Sequence, residues 1–179
     1  MTFKFTPEPE DFHKAIRAFY LSNSWLWVIF AVVGLPQMWC GLSYLVRLDF
    51  TQIFNIILAL FVILMIPALA VYLIWAVPAR IAGQVRQSER MRSLHTWEVS
   101  DQQIIIKTDY SELKFKWDDF HRALEIRDHF LLIYAANRGL IEVVPKRAFD
   151  SPENLTAFRN QLMDKIPRFK TFGLSGNHR

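Results

Sequence analysis

SWLWVIFAVVGLPQMWCGLSYLV, from Ser24 to Val46, and IFNIILALFVILMIPALAVYLIWAV, from Ile53 to Val77, decide the architecture of this chain. Both lie inside uncharged runs, 29 residues between Arg17 and Arg47 and 30 between Asp49 and Arg80. A hydrocarbon core about 30 Å thick needs about 20 apolar helical residues, so each run is long enough to cross it. The expectation is an integral membrane protein with a transmembrane hairpin over residues 24–77, its spans at 24–46 and 53–77 joined by a turn at Arg47–Gln52. Trp25 and Trp27 open the first span at the depth where indole rings settle between water and hydrocarbon. Near its middle, Pro36 removes a backbone donor and Gln37 is polar, which makes this pair the candidate kink and helix–helix contact. Neither span holds Asp, Glu, Lys, Arg or His. Ion-coupled carriers keep such groups at membrane depth, and two helices leave little room for a pathway.

The flanks orient the hairpin. The turn has one basic residue, Arg47; Lys4, Lys14 and Arg17 precede the first span, and Arg80, Arg86, Arg90 and Arg92 follow the second. The positive-inside bias then places both termini in the cytoplasm. A cleavable signal peptide is a poor alternative, because the apolar run is too long and lies too deep in the chain. Residues 1–23 read as a short strand, Met1 to Thr6, followed by an amphipathic helix that starts at Thr6-Pro7-Glu8-Pro9-Glu10-Asp11 and carries Phe12, Ile16, Phe19 and Tyr20 at helical spacing. Residues 78–94 read as a basic helical connector with four arginines and one acid, Glu89.

Beyond residue 94 the period changes from helical to two. His95 to Ser100, Gln103 to Thr108, Leu113 to Trp117, Phe120 to Arg127, Phe130 to Ala135 and Leu140 to Val144 are six strand candidates separated by short turns. Leu113, Phe115 and Trp117 alternate with Lys114 and Lys116, the pattern of one buried and one wet face. Asn137-Arg138-Gly139 supplies residues that accept positive backbone angles in a tight hairpin. Ser151 caps a following helix with Pro152 in its first position, and Leu155, Phe158, Leu162 and Ile166 form its apolar stripe. The fold class expected is therefore α+β: the hairpin plus a cytoplasmic, antiparallel sheet, curled or partly closed, over residues 95–169, with one C-terminal helix as its cap and a disordered tail at 170–179.

Catalytic and metal-binding patterns are sought and not met. His121 and His129 are eight apart with no cysteine partner and no His-Glu-x-x-His helix; His13, His95 and His178 are expected to face solvent. Cys40 lies in the first span without an acid or base near it to activate the thiol, which makes it filler rather than nucleophile. Asp118-Asp119 is the sharpest acidic pair, but adjacent residues at a turn face water, and Trp117 reads as a core anchor. Lys146-Arg147 marks either the exposed exit from the last strand or a contact for phosphate or an acidic partner. Residues 96–169 carry 11 basic and 12 acidic side chains, so the basic balance of the chain comes from connector and tail, which speaks against a nucleic-acid groove. No cofactor, metal or enzyme activity is expected.

Trp117-Asp118-Asp119-Phe120, the stretch Glu125-Ile126-Arg127-Asp128-His129-Phe130-Leu131-Leu132-Ile133-Tyr134, and Val144-Pro145-Lys146-Arg147-Ala148-Phe149 before a Ser-Pro-Glu helix start together resemble the YcxB-like family of small bacterial membrane proteins. The opening Thr6-Pro7-Glu8 with Asp11-Phe12 is similar to the start of that family. The resemblance implies a C-terminal domain like the bacterial pleckstrin-homology-like folds, a curled antiparallel sheet capped by one helix, which agrees with the six strands and Met1 to Thr6 as a candidate seventh, in the bacterial inner membrane, and it brings no catalytic residues with it. The function expected is a non-enzymatic inner-membrane protein whose cytoplasmic domain binds a protein partner or self-associates. The alternative is a sensor of anionic lipid or a small anionic ligand using Arg80, Arg86, Arg90, Arg92, Lys146 and Arg147.

Overall fold

The structure is a computed structural model that describes residues 1–46, 53–137 and 139–173. The expected turn Arg47–Gln52, Arg138 and the tail beyond Gly173 with His178 lie outside the described residues, as do the side chains of Trp25 and Asn55. The chain divides into two compact units, one of residues 1–18 and 80–179, the other of residues 19–79.

Among its described residues the first unit holds eight strands: β1 (Thr2–Phe5), β2 (His95–Val99), β3 (Gln103–Lys107), β4 (Glu112–Lys116), β5 (Phe120–Glu125), β6 (His129–Tyr134), β7 (Ile141–Pro145) and β8 (Phe169–Thr171). They form two four-stranded sheets, in the orders β1-β2-β3-β4 and β7-β6-β5-β8. All pairings are antiparallel except β5 with β8, which is parallel. The chain leaves the first sheet for the second at Trp117–Asp119, a single tight helical turn. There Asp119 Oδ2 accepts the Lys116 backbone N–H at 2.7 Å, and the buried Trp117 indole donates to the Ser100 carbonyl at 3.1 Å. The six strands read from the sequence are present within a residue or two.

Two strands complete the sheets from outside the expected meander. Phe5 pairs with His95 and Thr2 with Glu98, so the strand read at Met1 to Thr6 joins the sheet as an edge. Phe3 then stacks near Trp97, at 5.8 Å between centroids, and meets Phe149 and Phe158. Residues 169–171, placed by the sequence partly in a disordered tail, pair with Ala123–Glu125 after Pro167 has ended the helix. Helix α6 (Pro152–Lys165) starts as read, Ser151 Oγ accepting the Asn154 N–H at 3.2 Å, and buries Phe158, Leu162 and, just past its end, Ile166. In the β6–β7 turn Asn137 Oδ1 accepts the Gly139 N–H at 3.0 Å, and among the described glycines the one with a positive backbone angle is Gly173.

Helix α1 (Pro9–Ser22) begins with Pro9 in the first position, and Asp11 reaches back to accept the Glu8 N–H at 2.8 Å, which caps the helix. The second unit is helical: α2 (Ser24–Ile29), α3 (Leu35–Val46) and α4 (Ile53–Val71), with α3 against α4. Wide π-helical turns at Phe30–Gly34 and Tyr72–Ala76 come directly before Pro36 and Pro78. A proline gives no N–H to the preceding turn and crowds its carbonyl, and a wide turn absorbs both effects. The backbone continues from α4 through α5 (Val77–Gln87), and the stretch Ile63–Gln87 is the one helix among the described residues long and apolar enough by itself to cross a membrane. Pro9–Ser22 and Trp27–Ser43, bent by 51°, reach that standard only when taken together. The outside of this unit is apolar, with Val32, Trp39, Phe61 and Leu64 all more than half exposed.

Candidate functional site

The charged side chains that the β module buries form its most distinctive site. Among the described residues the buried ionisable groups are Asp11, Glu125 and His129. Helix α1 delivers Asp11, 4% exposed, to the start of β6 and to the turn after β7. Arg147 grips its carboxylate with both terminal nitrogens, at 2.6 and 2.8 Å, and His129 Nε2 lies 2.8 Å from Oδ1. Arg147 also donates to the Thr6 carbonyl at 3.4 Å and pairs with Glu8 at 3.2 Å. Burial pushes the Asp11 carboxyl up, but the hydrogen bonds from Arg147, His129 and the Glu8 N–H outweigh it and hold the group well below the usual carboxylate range. An ionised Asp11 has no proton to give, so His129 donates from Nε2. Its Nδ1 is buried and has no partner among the described residues.

A second carboxylate sits beside the first. Glu125, at the end of β5 and 1% exposed, accepts from Lys146 Nζ at 2.6 Å and from Arg159 Nε at 2.9 Å, with Arg159 Nη2 on its other oxygen. Desolvation raises this carboxyl as well, and the bonds from Arg159 and Lys146 reverse the sign and lower it. Lys146 Nζ also stands 5.2 Å from the centroid of the Phe130 ring. The adjacent pair Lys146-Arg147 therefore divides its charges between two internal carboxylates, tying β7 to α6 through Glu125 and to α1 through Asp11.

Above this network opens a cleft of about 320 Å³, at the small end of ligand pockets. Its lining is balanced: Glu8, Glu10, Asp11 and Asp128 against Lys14, Arg127, Lys146 and Arg147, with His129 between. The Asp11 oxygens are occupied by the Arg147 guanidinium, His129 Nε2 and the Glu8 N–H, so the carboxylate clamps α1 to the start of β6 and to the turn after β7. Among the described residues no group of three or more His, Cys, Asp or Glu is placed to hold a metal ion.

The other residues singled out by the sequence lie apart from this network. Arg86 is exposed on α5 and Arg90 and Arg92 on a short turn after it, while Arg80 is exposed near the start of α5 and makes an interaction of its own. Pro36 is exposed on α3 and Gln37 is half-buried and bonded. Asp118 and Asp119 face water, as read. Of the histidines expected to face solvent, His95 does not. His95 is half-buried against the Phe5 ring, and burial lowers its pKa. His129 is fully buried, because its turn folds over Asp11, a residue 118 positions away.

Residues 99–162 match the family model described as YcxB-like protein. No curated protein and no solved structure matches the chain. The matched segment runs from the end of β2 into α6 and contains Glu125, His129, Lys146, Arg147 and Arg159, while Asp11 and the strands β1 and β8 fall outside it. Over residues 99–162, then, this chain carries a YcxB-like segment.

Proposed function

We propose that the chain is a non-enzymatic membrane protein whose β module, of pleckstrin-homology-like form and on the cytoplasmic side of the inner membrane, mediates protein interaction or assembly. The observation that carries the reading is the fate of the buried charges: Asp11 and Glu125 are each neutralised by cations of the module itself, so the groups best suited to chemistry hold the fold together instead. The anchoring rests on a parity argument. Strand β1 is hydrogen-bonded to β2, so Thr2–Phe5 and His95–Val99 share one side of any membrane, and the chain between them must cross an even number of times. Two spans satisfy this and one does not, which supports the hairpin and a common side for both ends. The apolar exterior of residues 19–79 supports a hydrocarbon surrounding for it.

The reading of the module as a sensor of anionic lipid is left with Arg86, Arg90 and Arg92, since Lys146 and Arg147 are engaged by Glu125 and Asp11. Cross-linking in native membranes followed by mass measurement of the purified full chain separates the two. A defined self-oligomer or a single stoichiometric partner is expected; a monomer that binds anionic vesicles and loses them with Arg86→Glu, Arg90→Glu and Arg92→Glu would support the sensor.

A further inference from the structure

We propose that a second copy of this chain pairs with the free edge of β4, antiparallel and two-fold symmetric about Leu113. The proposal rests on the assembly reading above and names the partner. Among the described residues strand β4 pairs with β3 alone. The Thr108 N–H donates to the Ser111 carbonyl at 2.8 Å, and backbone direction alternates along an antiparallel strand from that bond. Leu113 and Phe115 therefore aim their peptide groups at β3, and Glu112, Lys114 and Lys116 aim theirs outward. The Lys116 N–H is already taken by Asp119. That leaves Glu112 and Lys114 with free outward donors and acceptors, enough for four backbone bonds to a symmetric partner.

Charge selects both the edge and the register. Among the described edges, β1 carries Lys4 as its one charged side chain, β7 carries Glu142, already bonded to Tyr134 at 2.7 Å, and β8 carries Lys170. Only β4 presents both signs, Glu112 and Lys114, 3.1 Å apart and well exposed. Symmetry about Leu113 sets each Glu112 opposite the other copy's Lys114, whereas symmetry about Lys114 sets two lysines face to face. Lysines on an edge ordinarily keep strands apart, but here the acid two residues earlier is their complement. The register also explains an exposure the alternating pattern did not predict. Leu113 lies across from the buried Ile106 yet is itself 46% exposed. Phe115, the next residue on that face, lines an apolar groove of about 380 Å³ with Tyr134, Leu140 and Ile141.

The test uses the full-length chain in membranes, with Cys40→Ser as background. At a non-hydrogen-bonded cross-strand pair the two Cα atoms are about 4.5 Å apart, inside disulfide range. Leu113→Cys is expected to form disulfide-linked dimers on mild oxidation, and Lys4→Cys on the opposite edge of the same sheet is not. Glu112→Lys alone and Lys114→Glu alone each set like charges opposite in a homodimer, and each is expected to cut the cross-linked fraction about tenfold. Co-expressed with different tags, the two variants set opposite charges at both positions and are expected to recover dimers made of one of each, which also shows that neither is misfolded. A dimer by mass that cross-links at Lys4→Cys, or at neither position, would overturn the β4 edge and leave the assembly reading standing. A monomer by mass with no cross-link overturns the second copy as partner, and assembly itself fails if native-membrane cross-linking recovers no other protein.

Discussion

Trp39 and Trp97 carry the same side chain under opposite rules. On α3, in the helical unit, Trp39 is 73% exposed and shares its surroundings with outward-facing Val32, Leu35 and Leu42. In β2 of the module, Trp97 is fully buried among Phe3, Phe5 and Ile106. The β module completes its own burial of apolar surface and turns its charges outward or against each other. The helical unit leaves that burial to whatever surrounds it. A surface of that composition is unfavourable in water and favourable in hydrocarbon, which supports the proposed membrane setting of the helical unit.

The contrast can be broken most directly by removing both indoles in turn. Trp97→Ala is expected to lower the stability of the detergent-solubilised protein by about 4 kcal/mol, read from denaturant unfolding by near-UV circular dichroism. Trp39→Ala is expected to change it by less than about 0.5 kcal/mol. Equal losses would mean that the helical unit has an interior of its own around Trp39. A charge sharpens the same point from the other direction. Leu64→Lys, at an exposed position of α4, is expected to cost insertion about 3 kcal/mol, measured as the fraction of protein that resists carbonate extraction; no change would mean that this face meets water.

The ion network gives smaller effects. Asp11→Asn leaves Arg147 and His129 facing a neutral amide and is expected to cost on the order of 2 kcal/mol, below the usual loss for a broken buried pair because Arg147 is 44% exposed. The pH dependence follows from the same carboxylates. A group whose pKa is lowered by folding stabilises the folded state fully above its unfolded value and loses that contribution as pH falls toward the folded one. For Asp11 the loss begins near its ordinary value of 3.8, and for Glu125 near 4.5, so stability should decline with acid below that range. In Asp11→Asn the lower part of the decline should flatten. A decline of unchanged depth would show that Asp11 is not held in the ion network.

Periodicity made the module's middle legible. The β-branched run from Gln103 to Thr108 and the alternation from Leu113 to Trp117 report strands whatever their neighbours are, and Ser151-Pro152 marks a helix start by local chemistry alone. The edges were not legible in the same way. Thr2–Phe5 is too short to declare its partner, which lies about ninety residues on, and Phe169–Thr171 is a strand only because Glu125 and Ala123 offer backbone bonds to that segment. The candidate site divides likewise. Lys146 and Arg147 were visible as a basic pair, but Asp11 reads locally as a helix-capping acid. Its second role depends on Arg147 and His129, 136 and 118 residues away. One local signal existed: Glu125 interrupts Ala123-Leu124-Glu125-Ile126, and a charge within an apolar strand calls for a buried counter-ion.

The proposed cytoplasmic placement of the module is measured by labelling Lys4→Cys and Lys170→Cys, both exposed in the module, in the Cys40→Ser background with a membrane-impermeant maleimide. The account predicts that both are protected in intact cells and both react once the cytoplasmic face is opened. Labelling of the two from opposite faces, or of both from outside, would contradict it.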